Sequence, residues 1–194
     1  LGVCNMGGRC KDTHILEAVK LSFSMLYHNI CSYNIIREMG TVDLLTGLLN
    51  RNCYQRNMKG YPMMNFQTLA CVYCDVNGLH ELNNSQGHEA GDEMLKAVAV
   101  ILRNYFGDEH SYRIGGDEFV AFVLDEAAED IKKKTEAVAR KLEAKGYYVS
   151  VGISIGRPRN LTEMEELVKK AETEMYAAKK IFYENGGRDR RGRM

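Results

Sequence analysis

After residue 41 the chain alternates apolar strand-like runs with helical stretches, and the order of these segments constrains the fold more than any other feature. A short helix is predicted from about Asp43. The run LACVYCD reads as a strand ending at Asp75, and a helix follows from about Gly87 to Asn104. A hairpin comes next, its arms SYRI and FVAFVL joined by Gly115-Gly116-Asp117-Glu118. A charged helix from about Glu126 to Ala144, the strand YYVSVGISI and a helix from Thr162 to about Tyr183 complete the series. The core order is βαββαβ, an α+β ferredoxin-like arrangement in which helices cover one face of an antiparallel sheet.

Upstream, no Gly or Pro occurs from His14 to Met39, and Leu16, Val19, Phe23, Leu26, Ile30 and Tyr33 recur at alternating spacings of three and four. This predicts one long amphipathic helix, ended by Gly40-Thr41. Its apolar stripe is either the seam of a parallel dimer, passing a signal from an upstream domain, or a face docked on the body of the same chain. The expected division is residues 1–40 for the segment that carries this helix and 41–194 for the α+β domain. The tail GGRDRRGRM is expected to be frayed.

Composition narrows the partners. The 26 basic and 26 acidic residues cancel, so no global field draws the chain to a nucleic-acid polymer or an acidic membrane. No stretch reaches the roughly 18–20 uninterrupted apolar residues of a membrane span, and LGVCNMGGRC lacks the apolar centre of a signal peptide. The expectation is a soluble, cytoplasmic chain, with anchoring of a longer protein left open. The six cysteines are scattered, without the spacing of a disulfide framework or a four-ligand zinc site. The pair Cys71 and Cys74 lies in an apolar strand and reads as buried packing.

In a βαββαβ sheet the first strand neighbours the hairpin, so Asp75, Asp117 and Glu118 are expected at one corner. Two unit charges about 4 Å apart repel by roughly 4 kcal/mol at an effective dielectric near 20. A divalent cation relieves this, and an oxygen-only donor set suits Mg²⁺ or Mn²⁺ shared with substrate phosphates. The alternative is an acidic turn open to water. A tight turn calls for positive φ at one glycine, while the second glycine clears space for a ligand. The segment after Asp75, VNGLHELNNSQGHEAGDEML, is rich in amides and carboxylates. Gly78 leaves backbone N–H groups accessible to phosphate, and Asn83 and Asp92 offer an amide and a carboxylate to a purine edge. The other reading of this segment is a helix start with ordinary Asn and Asp caps.

These residues resemble the GGDEF family, whose active members are diguanylate cyclases. Gly115-Gly116-Asp117-Glu118-Phe119 is the signature itself, intact. Asp43-Leu44-Leu45-Thr46-Gly47-Leu48-Leu49-Asn50-Arg51 is similar to the family's DxLTGLxNR opening. Asp75-Val76-Asn77, Asn83, Gly87-His88-Glu89-Ala90-Gly91-Asp92, Ser150-Val151-Gly152 and Met175-Tyr176-Ala177-Ala178-Lys179 follow in the family's order, over about 41 to 188. The resemblance implies condensation of two GTP into cyclic di-GMP, with release of two pyrophosphates, between two protomers of a homodimer controlled by an upstream sensor domain. It implies two Mg²⁺ or Mn²⁺ ions held by Asp75, Asp117 and the Val76 carbonyl, with Glu118 beside them as a catalytic residue. It further implies guanine recognition by Asn83 and Asp92, nucleotide against Gly78 and the Gly115-Gly116 turn, and Lys179 reaching the triphosphate.

Three departures stand out. Leu79-His80, on the substrate-binding side, occupy the place of the family's Phe-Lys, and an imidazole carries far less positive charge at neutral pH than an ammonium. After Lys179 the chain runs seven residues before Gly187-Arg188-Asp189, so Arg188 is either a phosphate-binding arginine on a longer loop or part of the basic tail. Phe106 and Glu109 stand where the family's product-inhibition site has Arg and Asp, which predicts a cyclase without product inhibition by that route.

Overall fold

The computed structural model describes residues 15, 17–30, 32 and 40–186. The chain divides into two compact units, residues 1–40 and 41–194. In the first, residues 17–30 form helix α1, and Val19, Phe23, Leu26 and Ile30 of the predicted stripe are exposed. Leu16, Tyr33 and the helical expectation for 33–39 lie outside the described residues.

The second unit runs β1 (Leu49–Asn50), α2 (Arg51–Gly60), a 3₁₀ turn (Tyr61–Met63), β2 (Leu69–Asn77), α3 (Leu79–Gln86) and α4 (His88–Phe106). It continues with β3 (Ser111–Arg113), β4 (Glu118–Leu124), α5 (Ala128–Glu143), β5 (Tyr148–Gly156) and α6 (Leu161–Glu184). The sheet order is β1-β3-β4-β2-β5. The contacts β3–β4, β4–β2 and β2–β5 are antiparallel, which is the expected βαββαβ core, and β1 adds a short parallel pairing beside β3.

The helices occupy both faces of the sheet, not one. On β2 every residue is buried. Leu69, Cys71 and Tyr73 join a core with Cys53 and Met58 of α2 and Met164, Ala171 and Met175 of α6. Cys74 and Val76 join the opposite core with Met94, Leu95 and Val98 of α4 and Val138 and Leu142 of α5. Successive side chains of a strand point to opposite faces, so an unbroken apolar run is the mark of a strand covered on both sides.

Two local expectations also change. Asp43 opens a turn, not a helix: its carboxylate accepts from the Thr46 N–H at 2.9 Å and the Thr46 hydroxyl at 2.7 Å. Side-chain bonds of this kind compete with helix formation, and Gly47 at φ 71° ends the turn. The helix starts at Arg51, where the Asn50 side chain caps it by accepting from the Cys53 N–H at 3.0 Å. The amide-rich segment after Asp75 contains a separate helix, α3, set off from α4 by Gly87 at φ 90°. Leu79 and Leu82 pack that helix against the second core.

Helix α6 lies tightly on β5. A Cβ at Gly152 would run into the Ala171 carbonyl oxygen and the Met175 amide nitrogen. Glu174 of the same helix accepts from the Ile153 N–H at 3.1 Å, occupying the unpaired edge of the strand. This seating carries Lys179 to the end of β2.

Candidate nucleotide site at the strand tips

β2 and β4 pair with Asp75 opposite Glu118. Asp75 shares a face of β2 with Tyr73, two residues back, and that face meets α6. There Lys179 Nζ lies 2.5 Å from Asp75 Oδ1, with both side chains largely buried. Tyr73 donates its hydroxyl to Glu118 Oε1 at 3.1 Å. Burial pushes the Asp75 carboxyl above the ordinary carboxylate range, and Asp117 and Glu118 push it the same way against the pull of Lys179. Burial works against the Lys179 ammonium, yet its bond to Asp75 holds the amine above its usual value. The corner therefore gathers three carboxyl groups around the Lys179 ammonium.

The hairpin tip is pinned from both sides. The Val76 N–H donates to the Asp117 carbonyl at 3.0 Å, and the Ile114 N–H donates to the Glu118 carbonyl at 3.0 Å. Arg113 Nη2 donates to the Gly116 carbonyl at 2.8 Å, while its Nη1 reaches Asp43 at 3.0 Å. The expected positive φ at the glycine pair is absent, since neither Gly115 nor Gly116 is left-handed. The glycines answer to space instead. A Cβ at Gly115 would strike the Glu118 side chain, whose Cβ and Cδ would be 3.2 and 3.3 Å away, whereas Gly116 has nothing within 4 Å.

In front of the tip lies a cleft of about 340 Å³ lined by Val76, Gly78, Leu79, His80, Glu81, Asn83, Gly116, Asp117 and Tyr183. Gly78, at φ 76°, begins α3, and no side chain caps the helix. The first-turn N–H groups of α3 are thus a ready anion site at the cleft wall. His80 is exposed, its Nε2 3.1 Å from Asn84 Nδ2.

Seven of the expected residues, Val76, Gly78, Leu79, His80, Asn83, Gly116 and Asp117, share this cleft, and Asp75, Glu118 and Lys179 cluster on the strand ends beside it. Gly115 and Asp92 do not line the cleft, and Arg188 is outside the described residues. Four residues at the site were not anticipated: Tyr73, Arg113, Glu81 and Tyr183. Tyr73 carries a usable signal, its period-two spacing from Asp75, and so does Tyr183, one helical turn beyond Lys179.

The oxygens expected to hold a cation here, those of the Asp75 and Asp117 carboxylates and the Val76 carbonyl, are all hard donors. Among the described residues no three His, Cys, Asp or Glu side chains form a complete cage. A site that offers one or two carboxylates and leaves the remaining positions to water and phosphate is the kind Mg²⁺ and Mn²⁺ use. The charge excess around Asp75 fits such an ion.

The family model described as "Diguanylate cyclase, GGDEF domain" matches residues 40–184. The chain belongs to the GGDEF domain family. It is 27% identical over 158 residues to the diguanylate cyclase DgcS of Shewanella oneidensis, covering 78% of this chain and 53% of that protein. It is 28% identical over 154 residues to the cyclic di-GMP phosphodiesterase PdeB of the same organism, covering 74% of this chain and 18% of that protein. The chain thus spans about half or less of the length of these curated relatives. Among solved structures, the coiled coil and GGDEF domain of DgcB from Caulobacter crescentus, in complex with c-di-GMP, superposes with a TM-score of 0.75 at 21% identity. That match covers 85% of this chain and 94% of the other, and it shows a shared fold.

Proposed function

We propose that the chain is a diguanylate cyclase that joins two GTP molecules into cyclic di-GMP, each held by one protomer of a homodimer. The observation that carries this reading is the juxtaposition of a carboxylate corner, buried Asp75 with half-buried Asp117 and Glu118, and an uncapped helix N-terminus at one cleft. Triphosphate oxygens sit at the first-turn N–H groups of α3, with Gly78, Leu79 and His80 beneath them and Gly116 leaving open space above. Asp75, Asp117 and the Val76 carbonyl hold Mg²⁺ or Mn²⁺, two ions per site. Such ions neutralise charge at the reacting phosphate and ease deprotonation of the attacking 3′-hydroxyl. Lys179 balances the charge of Asp75 and reaches the phosphates from α6. Glu118, held by the Tyr73 hydroxyl, keeps a third carboxylate beside the ion site. Asn83, on the cleft wall, reads the guanine edge.

Because each unit holds one nucleotide, two must face one another, and the exposed stripe of α1 is the element that sets their approach. Among the described residues no helix is long and apolar enough to cross a membrane. An upstream sensor, and any anchoring to a membrane, would belong to parts of a longer protein, with this unit on the cytoplasmic side. With Phe106 and Glu109 in place of the inhibitory pair, product does not shut the enzyme off by that route.

The test is incubation of the chain with GTP and Mg²⁺ or Mn²⁺, with ATP in parallel and products separated by chromatography. Cyclic di-GMP is expected from GTP alone, and Asp117→Asn is expected to abolish turnover while leaving the fold intact. One observation favours a second reading, a silent module that binds GTP without turnover. His80 stands in the cleft in place of the family's lysine and is engaged with Asn84. GTP binding without product would select it.

A further inference from the structure

The Oδ1 atom of Asn83 is buried and has no hydrogen-bond partner. It rests against Gly91 of α4, in the space a Cβ at that position would occupy; such an atom would also lie 2.9 Å from Asn83 Cγ and 3.1 Å from Leu79 Cδ1. Gly91 is itself buried, in the interior of α4. Glycine there costs about 1 kcal/mol of helix propensity relative to alanine, so its presence calls for a packing or functional reason.

We infer that Gly91 is a specificity-determining positioning residue: by receiving the amide oxygen of Asn83, it turns the amide NH₂ toward the cleft and so selects guanine over adenine. This rests on the reading of the cleft as a GTP site and goes beyond it. A bare Cα–H surface accepts an amide oxygen as a weak C–H···O contact, whereas an NH₂ in the same seat would set hydrogen against hydrogen. With the oxygen seated, the nitrogen is the free edge of the amide, and Asn83 lines the cleft. Guanine presents an acceptor at its 6-position and adenine a donor, so an NH₂ group complements the first and opposes the second. A side chain at Gly91 meets the far end of a flexible side chain, not backbone. The amide is therefore what moves, and the fold remains.

The experiment measures binding of the α,β-methylene analogues of GTP and ATP, with Mg²⁺, to the 194-residue chain. Wild type is expected to prefer the guanine analogue, and Gly91→Ala to reduce that preference about tenfold while the thermal unfolding curve stays two-state. Asn83→Ala is expected to produce a similar loss, and Gly91→Ala added to it no further loss. This non-additivity is what a merely structural effect of Gly91 would not give. Asn83→Gln leaves Gly91 intact but carries the amide one methylene off its seat, and it also loses the preference. Undiminished preference in Gly91→Ala or Asn83→Gln, or a further loss in the double variant, overturns the inference. Equal binding of both analogues by wild type overturns the reading of the cleft itself, and this inference with it.

Discussion

Replacing Lys179 by methionine removes the ammonium 2.5 Å from Asp75 Oδ1 and leaves a carboxylate facing Asp117 and Glu118 without its ion-pair partner. The side chains of Lys179 and Asp75 are 15% and 6% exposed, so water screens the loss weakly. Breaking a buried pair by deleting one partner costs about 3–5 kcal/mol. For a domain of this size each kcal/mol moves Tm by about 2–4 °C, so a fall of about 6–20 °C is expected in EDTA. A divalent cation at about a hundred times its Kd restores about 2.7 kcal/mol, because it supplies the missing positive charge at the same carboxylates. Thermal unfolding by circular dichroism, in EDTA and then with Mg²⁺ or Mn²⁺, reads both effects. Lys179→Met is expected to gain more from the cation than wild type, in which the ammonium competes for Asp75. Asp75→Asn in the Lys179→Met background removes the uncompensated charge and should recover stability in EDTA. A variant as stable as wild type without metal, or an equal gain from metal in both, refutes the reasoning.

Burial lowers the His110 imidazole below its usual pKa, with Glu109 opposing weakly, while His110 Nδ1 lies 2.8 Å from the Tyr61 hydroxyl. The unfolded chain then binds the proton more readily, so stability is complete above about pH 6.5 and is lost as pH falls through the depressed value. His110→Gln should flatten that part of a urea-midpoint profile, and an unchanged slope would exclude His110 as its source. Gly152→Ala meets backbone atoms of Ala171 and Met175 that cannot swing aside and should lose about 1–3 kcal/mol or more in urea unfolding. Gly116→Ala, with open space around it, should stay near wild type, and equal losses in the two variants would contradict the packing argument. Arg113→Lys keeps the charge but gives up the two-armed hold on Asp43 and the Gly116 carbonyl. Faster amide exchange at the turn is expected, and unchanged exchange would show that the arginine does not hold it.

Much of the fold was legible because its signals are local. The run LACVYC, the hairpin residues around Gly115-Gly116 and the long pattern of α6 each announce themselves within a few residues. Helix α3 did not, since its two leucines sit among amides whose own preference is for turns and caps. The placement of helices on both faces was written in β2, whose unbroken apolarity was read only as strand. At the site, Asp75, Asp117 and Asn83 stand out from spacing and motif, and the fold brings Asp117 and Asn83 to one cleft. Arg113 and Tyr73 were missed because their roles depend on cross-strand register and on the turn of residues 43–46, which sequence distance does not reveal. The glycine pair was legible as a turn but not in its cause, which is the bulk of Glu118 at one position and open space at the other.

Two copies of this unit are proposed to convert GTP jointly to cyclic di-GMP. The most direct measurement is the initial rate of cyclic di-GMP formation from GTP and Mg²⁺ as the concentration of the chain is raised. Product is expected at a rate that rises faster than linearly with protein until the dimer is saturated, and none with Asp117→Asn. Bound GTP with no product at any concentration would contradict it.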